Sequence, residues 1–304
     1  MALKDIKAKI GATNRTNKMT RAMEAISAVK MRKTQLAALA GRPYARAALQ
    51  ILARLSKSTV LAEHPLTAAR EPKRIALVLI TSDKGLAGAL NSGVIKAAAE
   101  AVAAHPADAV AVYAFGKKGG EYFARREYRT ARAFENKRDD IALDTMDALA
   151  AELSQAFAGG ALDRILVAYS HFKSTFEQVP TVRTLLPLSL ENVRELVNDI
   201  VPERGKWSGP REGDAAPAYS IEPDGADVLG ALIPRLVAVS LYHMLLESKA
   251  SEHSARMVAM KNASDKSEEV AHDLTRLFNK TRQAAITREV SEIIGGREAR
   301  ALAI

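Results

Sequence analysis

The sequence predicts an α/β protein in which two long terminal helices pair as an antiparallel coiled coil and enclose a strand-containing insert. Three observations carry this. Both ends place apolar residues three and four apart over many turns, whereas the middle holds short apolar runs of strand length separated by helical stretches. No uninterrupted apolar run approaches the roughly 20 residues that a membrane-spanning helix needs. The chain has 304 residues, 48% apolar and 26% charged. That is roughly two domains' worth of globular sequence and excludes a disordered chain.

Residues 1–57 read as the N-terminal coiled-coil helix. Leu3, Ile6 and Ile10, then Met19, Met23, Ile26 and Val29, form its apolar stripe, which is weak across Gly11–Asn17. Pro43, just after Gly41, predicts a bend, because proline removes a backbone donor and crowds the preceding turn. The same 57 residues hold 13 Lys or Arg against Asp5 and Glu24 alone, so the net charge of +9 is an N-terminal property.

Residues 74–200 read as the α/β domain. Ile75 to Ile80 is a continuous apolar run rich in β-branched residues, the mark of a strand buried on both faces. A glycine-containing turn follows, SDKGLAGALN, and then an Ala-rich helix to about Ala104. Strands are expected at Ala109–Phe115, Arg129–Phe134 and Asp163–Phe172, a helix at Ile141–Phe157, and a hairpin partner at Val179–Pro187. Residues 201–223 form a loop and foot segment, with three Pro and three Gly between positions 202 and 217. From 224 to 295 the helical period returns as the C-terminal coiled-coil helix, with Pro234 near its start and Gly295-Gly296 expected to stop it.

The chemistry in the chain is sparse. With no cysteine there is no disulfide scaffold, thiolate metal site or cysteine nucleophile. SDKGLAGALN is a strand-to-helix turn of the kind that binds anions, yet it fits neither nucleotide-loop pattern. Six scattered histidines lack metal-ligand spacing, and no nucleophile elbow is present. The C-terminal helix is unusual for a coiled coil. It carries small residues (Ser251, Ser254, Ala255, Ala259), polar Asn262, Asn279, Gln283 and Thr287, and basic Lys280, Arg282 and Arg288. Arginine and glutamine there offer geometry-specific hydrogen bonds to a partner. On residues alone three readings stay open: a partner-bound coiled coil, a basic nucleic-acid binder, and a nucleotide-binding α/β enzyme using Ser82–Asn91. The second finds little support in aromatics, since residues 1–57 hold only Tyr44.

MALKDIKAKIGATNRTNKMTRAMEAISAVKMRK, SDKGLAGALN and ASEHSARMVAMKNASD…FNKTRQAAITREVSEIIGG together resemble the gamma subunit of F-type rotary ATP synthases, over nearly the whole chain. The resemblance implies an asymmetric antiparallel coiled coil with a Rossmann-like domain at its foot. It also implies a non-catalytic rotor shaft inside a ring of three alpha and three beta subunits, standing on the epsilon subunit and the membrane c-ring. The implied sites are contacts. Arg282, Gln283 and Thr287 resemble the upper-shaft residues that meet the beta catch loop, with Lys280 a further partner-binding candidate, and Met23, with its basic neighbours Lys18 and Arg21, resembles the N-terminal helix position facing the same region. Ala87, with Lys84 beside it, occupies the place near the acidic lever of beta; Tyr219, Ile221 and Glu222 resemble the foot. No cofactor, metal or direct nucleic-acid contact is implied. The expected location is the cytoplasmic face of the bacterial plasma (inner) membrane, peripheral and through the complex only. The lack of cysteine excludes the thiol regulation of chloroplast relatives.

Overall fold

The computed structural model describes residues 2–40, 64–136, 143–189 and 225–301. In chain order the longer elements are α1 (Leu3–Ala40), β1 (Ile75–Ile80), α2 (Leu90–Val102), β2 (Val110–Phe115), α3 (Lys117–Ala124), β3 (Arg129–Phe134), α4 (Leu143–Ala158), β4 (Arg164–Phe172), β5 (Gln178–Leu186) and α5 (Gly225–Ala301). The sheet order is β3-β2-β1-β4-β5. The first four strands run parallel, and β5 returns antiparallel to β4 as a hairpin.

The middle strand explains the arrangement. All six residues of β1 are fully buried, and their side chains alternate between two cores. Ala76, Val78 and Ile80 join Met146, Leu153 and Phe157 of α4 and Leu236, Leu241 and Met244 of α5. Ile75, Leu77 and Leu79 join Val94, Ala98 and Val102 of α2 and Phe123 of α3. Period-two alternation of an all-apolar strand is what a sheet covered on both faces requires. A stretch of α5 is long and apolar enough to cross a membrane by length and composition, but 61% of it is buried inside the protein. Its apolar face is occupied by the sheet.

Asp163 clips the start of β4 to the start of β1. Its carboxylate accepts from the Arg74 amide at 2.8 Å and the Lys73 amide at 3.2 Å, and its own amide donates to the Arg74 carbonyl. Burial pushes this carboxyl up, but the Arg74 amide and guanidinium and the Lys73 amide outweigh it and hold the group below its ordinary value. A depressed carboxyl contributes stability above its unfolded value of about 3.9 and loses it as pH falls through the folded value. Asp163→Asn is therefore expected to cost about 1–2 kcal/mol at neutral pH. It should also flatten the loss of stability below about pH 4, as read by acid titration of urea midpoints. An unchanged acid slope would refute the clip.

The chain packs as two units, Met1–Ile26 with Arg256–Ile304, and Ser27–Ala255. In the first unit Asn17 of α1 donates to the Ser264 carbonyl of α5 at 2.8 Å. In the second, Ala37, Ala38 and Ala40 of α1 lie beside Val239, Tyr242, His243 and Leu246 of α5.

Three expectations change. The buried positions of α1 are Ile6, Thr20, Ser27 and Thr34, while Met19, Ile26 and Val29 are exposed. Thr20, Ser27 and Thr34 recur every seven residues, and the two threonines bond their hydroxyls back to their own helix. Small, self-satisfied side chains let the helices approach closely, so the large apolar residues are left on the outer face. Gly295-Gly296 does not end α5, which continues to Ala301, and neither glycine takes the positive φ of a helix stop. Glycine weakens a helix interior by about 1 kcal/mol without forbidding it. Finally, α3 was not anticipated from the sequence: KKGGEYFA carries two glycines, and it is tertiary packing of Phe123 and Gly119 that makes it a helix. Residues 41–57, with the Pro43 bend, and the 201–223 segment lie outside the described residues.

Candidate partner interface

The turn after β1 is held from within. The Ser82 amide donates to Asn91 Oδ1 at 2.9 Å, and the Ser82 hydroxyl donates to the Lys84 carbonyl at 2.6 Å. The Asp83 carboxylate accepts the Lys117 amide at 2.9 Å and the Asn136 amide at 2.8 Å, tying β1 to the start of α3 and the end of β3. The polar residues that would have to meet a nucleotide are thus engaged in holding backbone.

What the turn presents outward is Lys84 and Leu86. Leu86 takes φ 64° and is 62% exposed, whereas Ala87 turns inward and is 2% exposed. The left-handed backbone at Leu86 reverses the chain, so Leu86 faces solvent while Ala87, the position expected near a partner, packs inward. Phe176, 84% exposed at the tip of the β4–β5 hairpin, leaves the same carboxyl end of the sheet from the strand beside β1. Sequence reasoning missed both. The signal available for Phe176 was a lone aromatic between Ser174 and Gln178, at the centre of a turn.

On α1, Lys18 and Arg21 are exposed and Met23 is half-buried. Arg21 forms a 2.8 Å ion pair with Glu268 of α5, both side chains about two-thirds exposed. Beside them runs an outer apolar stripe of Met19, Ile26, Val29 and Leu36. On α5, Lys280, Arg282, Gln283 and Thr287 are all exposed, interleaved with exposed Leu277, Ile286, Val290 and Ile293. Among the described residues Ser264 is the last buried one in α5. The terminal helices therefore carry mixed basic and apolar faces that the described chain leaves uncovered, the pattern of a surface made for partners. Tyr219, Ile221 and Glu222 lie outside the described residues.

Comparison with known proteins agrees with this architecture. Residues 2–300 match the family model described as ATP synthase. The chain is 39% identical over 298 residues to the ATP synthase gamma chain of Opitutus terrae, covering 98% of both chains. It is 36% identical over 299 residues to that of Pelotomaculum thermopropionicum, covering 98% of this chain and 99% of the relative. Among solved structures it is similar to a chain of the Tetrahymena thermophila mitochondrial ATP synthase central stalk and c-ring, with TM-score 0.59, 26% identity, and coverage of 81% and 99%. A chain of the Euglena gracilis mitochondrial enzyme shares the fold at TM-score 0.63 and 19% identity, covering 98% and 94%. A family match over residues 2–300, with relatives 36–39% identical over 98% of the chain, makes this chain a member of the ATP synthase gamma chain family.

Proposed function

We propose that this chain is the non-catalytic rotor shaft of a proton-translocating ATP synthase, turning rotation of a membrane c-ring into conformational cycling of three alpha and three beta subunits. The observation that carries this is the pair of terminal helices, unequal in length and sequence, whose outer faces carry apolar and basic side chains with no cover from the described chain. An axle of two different helices presents a different face to each of three surrounding sites, which a symmetric rod would not do.

The energetics fit such a part. Swinging a two-state site from 1:99 to 99:1 takes about 5.5 kcal/mol of differential stabilisation. One charge crossing ~100 mV supplies about 2.3 kcal/mol, so roughly two to three charges must be gathered for each site switched. The shaft's task is to deliver that sum as differential contact with open and closed beta conformations. Lys18, Arg21, Met23, Lys280, Arg282, Gln283 and Thr287 are the contacts assigned to the upper shaft. Lys84 and Leu86, supported by buried Ala87, are assigned to the acidic lever. Tyr219, Ile221 and Glu222 are assigned to the epsilon subunit and c-ring. Basic side chains opposite an acidic lever also steer its approach. Catalysis is assigned to the surrounding ring, and the location is the cytoplasmic face of the bacterial inner membrane, peripheral through the complex.

Co-expression with alpha and beta subunits is the test. The expected product is a 3:3:1 assembly that hydrolyses ATP and, with the membrane sector, pumps protons. A chain that stays apart from the ring, or that binds ATP saturably by itself, would overturn the reading.

A further inference from the structure

The face of α5 that meets the sheet changes character along its length. From Ile233 to Leu245 it is apolar apart from Ser240 and His243, and apolar packing is non-directional: it holds a helix down without fixing its roll. From Glu247 to Ser254 the buried residues are polar or charged apart from Ala250, including Glu247, Lys249, Ser251, Glu252 and Ser254. Burying charge costs several kcal/mol unless each group is partnered, so this stretch is not there to add core.

The partners are directional. Glu247 Oε2 lies 2.9 Å from Nδ1 of His171 at the end of β4, and Oε1 lies 3.2 Å from Nε2 of His243 one turn earlier in α5. Burial pushes the Glu247 carboxyl up, but the two imidazoles outweigh it and keep the group below its ordinary value. Ser251 donates to the Ser170 carbonyl at 3.0 Å and Ser254 to the Thr175 carbonyl at 2.6 Å, so positions 247, 251 and 254 grip β4 and its hairpin along one face. Lys249, 2% exposed, donates to the Asn136 carbonyl just past β3 at 2.9 Å. Two residues along a helix are about 200° around it, so positions 247 and 249 point to opposite sides. Fixings on opposite flanks of a helix resist roll in both senses, because one or the other is stretched whichever way it turns.

We propose that Glu247, held by His171 and His243 and opposed by Lys249, is the torsional anchor of α5, the positioning residue through which turning force passes between the helix and the α/β domain. The inference rests on the rotor reading and names where in this chain torque is transferred. Nothing in it requires Glu247 to touch a partner subunit.

The test is single-molecule rotation of the assembled alpha–beta–gamma complex, with the ring immobilised and the load attached to the α/β domain. Glu247→Leu is expected to leave assembly and unloaded ATP-driven rotation near wild type while stall torque falls roughly twofold or more, because one of two opposed charge-assisted fixings is gone. Glu247→Gln, which keeps one acceptor and one donor for the two imidazoles, should restore most of that torque. A general packing defect would instead lower loaded and unloaded rotation alike. Wild-type torque in Glu247→Leu would overturn the anchor. Should that variant fail to assemble, Lys249→Met decides by the same comparison, and full torque there overturns the anchor too. A wild-type complex that assembles without rotating would instead remove the rotor reading on which the anchor stands.

Discussion

Alanine at Gly116 is expected to destabilise the α/β unit by about 3 kcal/mol or more, combining left-handed backbone strain with overpacking. Gly116 takes φ 89°, and a Cβ there would stand 2.1 Å from the Thr81 carbonyl oxygen and 2.6 Å from its carbon. Neither side can yield. The Thr81 carbonyl accepts Asn136 Nδ2 at 2.7 Å, the Thr81 amide donates to the Phe115 carbonyl at 2.8 Å, and the Gly116 amide donates to the Phe134 carbonyl at 3.0 Å. The junction between β1, β2 and β3 is therefore determined from three directions at once. In a unit of this size the loss corresponds to a fall in Tm of roughly 6–12 °C. Gly85→Ala is the control, because a Cβ there meets nothing within 4 Å. Thermal melts of the purified chain in which Gly116→Ala and Gly85→Ala behave alike would show that the junction relaxes and the argument fails.

Charge reversal at Arg21 should separate coupling from folding. The Arg21–Glu268 pair is exposed on both sides, and exposed pairs contribute at most about 1 kcal/mol. Arg21→Glu is thus expected to move Tm little. In the assembled enzyme it places a negative charge where an acidic surface of the ring is expected, and like-charge juxtaposition costs several kcal/mol, enough to lower protons pumped per ATP about fivefold or more. The double variant Arg21→Glu with Glu268→Arg rebuilds the pair within the chain. If the partner contact is what matters, pumping stays low in the double variant although the internal ion pair is restored. Recovery of pumping would instead assign Arg21 an internal role, and parallel losses of Tm and pumping would remove the coupling role altogether.

Much of the architecture was legible because it rests on periodicity. The run Ile75–Ile80 can bury both faces only as a central strand, and it is one. The strands at Val110–Phe115, Arg129–Phe134 and Arg164–Phe172 and the hairpin return at Gln178–Leu186 fall within a residue or two of where apolar pattern and turn residues put them. The seam of the terminal helices was not legible in the same way. Hydropathy ranks Met19, Ile26 and Val29 as the inward face, but the inward face is built from Thr20, Ser27 and Thr34. A rule that buries the largest apolar side chains assumes that every partner is in the chain, and a surface destined for other subunits breaks it.

The proposed partner contacts rest only on likeness to a family, since exposed lysine, arginine and glutamine have no local signature. Within that set the turn after β1 shows the limit. Ala87 is buried and Leu86 is outward because of a single positive φ, which no pattern of residue types announces. The carboxylate between His171 and His243 was out of reach for a different reason. The spacing of His243 and Glu247 puts them on one helix face, but the third member arrives from β4, 76 positions away in sequence from Glu247.

By itself the sequence determined what repeats along the chain: a helix at each end, an α/β alternation between them, and the concentration of positive charge near the start. These follow from local periods and composition, which each segment carries wherever it is placed. The tertiary structure alone decided which face of each terminal helix turns inward, which residue of the β1 turn meets solvent, and which buried charges find each other. Those outcomes depend on groups brought together from distant segments, where close approach and the satisfaction of buried polar atoms outweigh the preferences of any one stretch.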